Sequence, residues 1–182
     1  IKIPDLLNLN LTNNRSIFKK ISHNLKNIDI KDSLIYKNSI YLSVELNVGQ
    51  NCKHFVIYKS DLSLEKLFFE KIFFDKTCYG HIQAGKIQYH KSYGGLLVGT
   101  AADVMKNLDR SDLKPQDDNS LMGKVLLINE NNGNYKIISK GHRNILGLYV
   151  DDAGLILSTE NGPRGGDEIN LIKEGSNYGW PV

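Results

Sequence analysis

Two short stretches of this chain combine residue types that can do chemistry. The first is Arg143-Asn144, set between Gly141-His142 and an apolar run that starts at Ile145. A planar guanidinium grips a carboxylate through paired hydrogen bonds, and a neighbouring amide can donate to a quinone oxygen, so this pair suits a polyanion. The plain alternative is an Arg pinned to loop carbonyls. The second stretch is Gly162-Pro163-Arg164-Gly165-Gly166-Asp167-Glu168, small residues followed by two carboxylates. Calcium takes about six to eight hard oxygens and accepts main-chain carbonyls readily. Taken alone, Asp167-Glu168 reads equally well as a solvated turn, and His142 reads as a structural histidine satisfying its own tight loop.

A third stretch, Gly80 to Lys86, fits the opening of a phosphate-cradling loop. It fails at the next position, where Ile87 replaces the Ser or Thr hydroxyl that magnesium requires. A strand rather than a helix is also expected to follow, so no helix N-terminus would face the phosphate.

The elements that must position these residues are strands. From about Ser33 onward, short β-branched and aromatic runs alternate with turn residues, and no window keeps a sustained helical apolar period. The expected strands are Ser39 to Leu46, His54 to Tyr58, Leu67 to Phe74, Gly85 to Tyr89, Leu96 to Gly99, Lys124 to Asn129, Tyr135 to Ser139, Gly147 to Val150, Leu155 to Thr159 and Glu168 to Ile172. Gly94-Gly95, Asn132-Gly133 and Asp152-Ala153-Gly154 carry hairpin-turn chemistry. Ala101 to Ser120 is the longest stretch poor in strand formers and reads as an excursion loop. The chain is therefore all-β, a sandwich, barrel or propeller by pattern alone.

With 41% hydrophobic and 24% charged residues the chain is globular rather than disordered. Its net charge of +3 is spread along the sequence, which argues against a nucleic-acid partner. No run approaches the roughly 18 apolar residues of a membrane-spanning helix. Cys52 and Cys78 lack CxxC spacing; a zinc site is not expected, and two buried free thiols are favoured over a disulfide.

The run from Gly141 to Pro181, GHRNILGLYVDDAGLILSTENGPRGGDEINLIKEGSNYGWP, resembles the PQQ-dependent soluble aldose/glucose dehydrogenases, the glucose/sorbosone dehydrogenase family. Gln116 to Ile128 resembles the segment leading into the same blade, and His81 to Ile87 resembles the family's catalytic strand. The resemblance implies a six-bladed β-propeller of four-stranded antiparallel blades. At roughly 40 to 50 residues per blade, 182 residues would supply about half to two-thirds of it, so a fragment is expected. Residues 1–32 are left as a possible remnant of a preceding blade, with 33–182 as the partial propeller.

The same resemblance implies the chemistry. An aldose would be oxidised to its lactone, hydride would pass to PQQ, and electrons would go on to a quinone or cytochrome, in the periplasm or outside the cell. His81 would be the base and Asp103 its partner. Arg143 and Asn144 would contact PQQ. The carbonyls of Gly162 and Pro163 would bind the calcium that polarises it, while Glu168 and the Tyr178 carbonyl would hold a second, structural calcium. The chain departs from the family in four places. Ile82 stands at the position of the family's His, one residue after His81, and the family's Gly-Asp falls near Ala101-Ala102, with Asp103 just beyond. Leu146 replaces a cofactor-contacting amide, and Lys86 replaces an Arg. Two other functions follow from those departures: a non-catalytic calcium-stabilised propeller that binds sugar or protein, and a lactonase-like hydrolase using calcium directly.

Overall fold

A computed structural model describes residues 21–49, 52–102 and 113–182. The sequence expectations for residues 1–20 and for Asp103 lie outside the described residues. Those that are described fold into antiparallel sheets, without an α-helix among them.

A minor parallel pair joins β1 (Ser22–His23) to β5 (Lys66–Leu67). The first main sheet follows chain order: β2 (Ile28–Tyr36), β3 (Ser39–Gly49), β4 (Cys52–Asp61) and β6 (Glu70–Phe74). The second runs β7 (Lys86–His90), β8 (Gly95–Gly99), β9 (Lys124–Ile128) and β10 (Tyr135–Lys140). The third holds β11 (Ile145–Val150), β12 (Ile156–Glu160) and β13 (Glu168–Ile172). Then the chain turns back, and β14 (Ser176–Asn177) adds in parallel to β10 of the second sheet.

The second sheet is the middle layer, and β8 shows why its sequence is apolar at every position. Leu96 and Val98 point into a cluster with Phe55, Ile57, Ile82 and Ile87 on the first-sheet side. Leu97, between them, points the other way, to Ile138, Ile145, Ile156 and Ile172. A strand covered on both faces loses the usual in-out alternation. The third sheet approaches so closely that a Cβ on Gly99 would lie 2.7 Å from Ile145 Cγ2.

Two sequence expectations need correction. Strand β2 was not anticipated and runs through the boundary drawn after residue 32. A register shift between Ile30 and Asp32 breaks its alternation, which is the signal by which a strand is read. Cys52 and Cys78 are not buried thiols: they form a disulfide, and Cys78 is exposed. The start of β4 and the segment after β6 come together there, through a reciprocal main-chain pair between Lys53 and Tyr79. Both sulfurs are bonded to each other, so the nearby His54 completes no thiolate metal site. Strand β7 follows Gly80 to Gly85, and among the described residues no α-helix faces that loop.

Candidate functional site

The corner between β10 and β11 is fixed almost entirely by its own main chain. Gly141 adopts φ 76°, in the left-handed region, and its N–H donates to the Pro115 carbonyl. Its carbonyl accepts the Trp180 N–H, and the His142 N–H donates to Gly123. Arg143 and Asn144 are held against the end of β8, where Ala102 N–H donates to the Arg143 carbonyl and Asn144 bridges Ala101.

Behind the corner lies a buried polar core. His142 is fully enclosed, stacked on Tyr178 with ring centroids 4.6 Å apart. Its Nδ1 is 2.5 Å from Glu160 Oε1 and its Nε2 is 2.8 Å from Ser139 Oγ. Glu160, at the end of β12, also accepts from the Arg143 N–H, Ser158 Oγ and Asn170 Nδ2. Burial alone would raise the Glu160 pKa, but the His142 contact, Asn170 and the Arg143 N–H together hold it below the ordinary value, so the carboxylate is ionised.

The opposite wall is the Gly162-Pro163 bend. Asp167 Oδ1 accepts from both the Gly162 N–H and Asn161 Nδ2, closing the loop on itself. A 3-10 turn spans Pro163–Gly165, with the Gly166 N–H donating to the Pro163 carbonyl. A Cβ on Gly162 would sit 1.7 Å from the Gly166 oxygen, so no other residue fits there.

Between the two walls is a cleft of about 180 Å³, lined by Arg143, Glu160, Gly162, Pro163, Glu168 and Tyr178, with Trp180 at its side. The guanidinium of Arg143 lies over the Trp180 ring at 5.3 Å, and its Nη1 donates to the Asn161 carbonyl. Part of this Arg is therefore pinned to a loop carbonyl, as its plain reading expects. Its Nε is buried without a hydrogen-bond partner, and so is Asn144 Oδ1, although Asn144 itself does not line the cleft. The oxygens at the other wall are hard donors. The Pro163 carbonyl keeps a second lone pair beyond its bond to Gly166, and Glu168 Oε2 accepts only from Asn170 among the described contacts. Tyr178 spends its hydroxyl on the Leu171 carbonyl and the Lys173 N–H. Leu146 is 52% exposed and faces a separate hollow with Thr159 and Ile169, so it does not fill the cleft.

His81 does not line this cleft. It stands on the same end of the sheets, because Lys86 at the start of β7 pairs with Gly99 at the end of β8, two residues before the bridge from Ala101 to Asn144. Its side chain is 44% exposed, and Nδ1 lies 3.2 Å from Glu45 Oε2. Ile82, at the position the resemblance gives to His, is buried in the core instead. Glu45 escaped the sequence reading, although a lone carboxylate in the apolar strand Tyr41 to Val48 was a visible sign. It is 1% exposed, accepts the Ile82 N–H, and faces Lys53 at 2.7 Å and Lys31 at 3.5 Å. Burial opposes its ionisation, but Lys53, the Ile82 N–H and Lys31 outweigh that and hold its pKa below the usual carboxylate value.

The sequence profile described as Glucose / Sorbosone dehydrogenase matches residues 6–182. Quinoprotein glucose dehydrogenase B of Acinetobacter calcoaceticus is 40% identical over 83 residues, covering 40% of this chain and 17% of that protein. A crystal structure of glucose dehydrogenase superposes with a TM-score of 0.70 and 25% identity, over 86% of this chain and 50% of that one. The PQQ-bound form of an aldose sugar dehydrogenase from Streptomyces coelicolor superposes with a TM-score of 0.57 and 28% identity, over 79% of this chain and 44% of that one. The chain thus spans half or less of the length of these relatives.

Proposed function

This chain belongs to the glucose/sorbosone dehydrogenase family, and from that premise we propose that the protein containing it is a PQQ- and calcium-dependent dehydrogenase that oxidises an aldose to its lactone. Its three consecutive sheets are then blades of a six-bladed ring, and its place is the periplasm or the outside of the cell. The observation that carries the reading is the single cleft that joins Arg143 to the Gly162-Pro163 bend.

The residues present fit both groups. The unpartnered Arg143 Nε and Asn144 Oδ1 are buried polar atoms of the kind a bound polar ligand satisfies. A quinone carrying several carboxylates suits the guanidinium, the carbonyls of Gly162 and Pro163 suit the calcium beside it, and the Glu168 carboxylate with the Tyr178 carbonyl suits a second, structural calcium. When bound, PQQ accepts the hydride from the anomeric carbon, and a quinone or cytochrome later takes the electrons. The chain's own residues do the rest. Glu160 fixes the Arg143 main chain, Trp180 backs the guanidinium, and His81, with Asp103 or another carboxylate, removes the sugar hydroxyl proton.

The test is to reconstitute the full-length protein with PQQ and calcium and follow dye reduction across a panel of aldoses. Turnover that disappears in Arg143→Ala supports the dehydrogenase. Calcium binding without any turnover supports the second reading, a non-catalytic propeller that binds sugar or protein. Buried Ile82, where a catalytic His is expected, is the observation that favours that alternative.

A further inference from the structure

We propose that Glu45, on β3, is the positioning carboxylate for His81, favouring the imidazole with its proton on Nδ1 and leaving Nε2 as the proton acceptor. This rests on the dehydrogenase reading for its catalytic meaning, but the pairing itself does not.

Three features single out this carboxylate. It is nearly inaccessible, whereas the imidazole it meets is half exposed, an arrangement that holds one ring nitrogen against the protein and offers the other outward. It is held in place from three separate segments: Lys31 on β2, Lys53 on β4 and the Ile82 N–H directly after His81. Lys53 lies 2.7 Å from Oε1, while Oε2 meets the Ile82 N–H, His81 and, at 3.5 Å, Lys31. The two lysines also keep the group ionised, and a carboxylate without a proton can only accept. An anionic oxygen 3.2 Å from Nδ1 repels a lone pair there and favours the tautomer with hydrogen on Nδ1.

The segment is clamped as well. The disulfide from Cys52 to Cys78 and the main-chain pair between Lys53 and Tyr79 tie residues 78–82 to β4, the strand beside Glu45. With PQQ bound to take the hydride, the sugar hydroxyl proton would move to Nε2 while the Nδ1 proton stays between ring and carboxylate. The imidazolium so formed carries its charge next to an ionised Glu45, which favours the step.

The test is histidine-selective 15N labelling of the full-length protein, with the His81 resonances identified by their loss in His81→Gln. In the neutral imidazole the expected long-range 1H–15N pattern has Nδ1 protonated and Nε2 unprotonated. A proton on Nε2 overturns the proposal, and this measurement needs no substitution at the buried Glu45. In Glu45→Gln a mixture of tautomers is expected. With PQQ and calcium, kcat should fall roughly 10- to 100-fold at nearly unchanged KM, with partial rescue by Glu45→Asp. A loss of activity with the tautomer unchanged means that Glu45 only supports the fold, and also overturns the proposal. The expected tautomer in a wild-type protein that oxidises no aldose instead removes the dehydrogenase reading and leaves the pairing standing.

Discussion

Glu160 Oε1 meets His142 Nδ1 at 2.5 Å in the interior, and the second oxygen of the same carboxylate receives the main-chain N–H of Arg143. One ionised group therefore joins the buried core of the corner to the residue that faces the cleft. Removing it in Glu160→Ala leaves His142, the Arg143 N–H and Asn170 without their acceptor. The expected cost is about 3 to 5 kcal/mol, as for other broken buried pairs. Ser139→Ala, which removes only the neutral hydroxyl on Nε2, should cost about 1 kcal/mol. Urea unfolding of both variants beside the parent checks the ordering, and equal losses would contradict the central place of Glu160.

Acid should act through the same group. The folded pKa of Glu160 lies below its ordinary value of 4.5, and those of Glu45 and Glu130 are lowered too. The folded protein thus binds protons less readily than the unfolded chain. The stability these groups contribute is present above about pH 4.5 and is lost as pH falls through the lower folded values. Urea midpoints should stay level from pH 7 to 5 and drop below that. Glu160→Gln should be less stable at pH 7 and show a shallower acid loss.

How far the sequence spoke differs from element to element. Strands of the second and third sheets were legible because Asn132-Gly133 and Asp152-Ala153-Gly154 punctuate their hairpins, and β13 was bounded correctly at Glu168 and Ile172. Strand β2 was not, since its bulge puts Lys31 and Asp32 out of step with the apolar residues before them. The Arg143 corner and the Gly162 bend were readable as loops with special backbones, but their meeting in one cleft depends on β11 pairing with β12, across a register shift between Ile145 and Gly147. Glu45 stayed hidden for a deeper reason. Its partners come from β2, β4 and the segment before β7, and no local pattern encodes a meeting of three distant segments.

The disulfide should matter more than its exposed position suggests. Cys52 and Cys78 are 26 residues apart. Closing a loop of that size restricts the unfolded chain by roughly 3 kcal/mol. Cys52→Ser with Cys78→Ser, or treatment with dithiothreitol, should lower the urea midpoint accordingly. Because residues 78–82 carry His81 against Glu45, amide exchange should quicken first in that segment. Uniform exchange across all sheets would show that the bond stabilises only the unfolded-state side of the balance.

The outer face of the third sheet tests the proposed ring. Tyr149, Leu157 and Leu171 align in one row across β11, β12 and β13, and Ile169 lies beside Thr159 in the next. Ile169 is 78% exposed and Tyr149 58%, an apolar surface that water alone disfavours. In the 182-residue chain Ile169→Lys should change folding stability by no more than about 0.5 kcal/mol, since the side chain touches little. It should also shift the chain toward monomer in sedimentation velocity. In the full-length protein a following blade would cover this face, and the same lysine would then be buried without a partner. There the expected loss is about 2 kcal/mol or more. Equal tolerance in both contexts would mean that no sheet packs on this side, and the ring would have to close in another way.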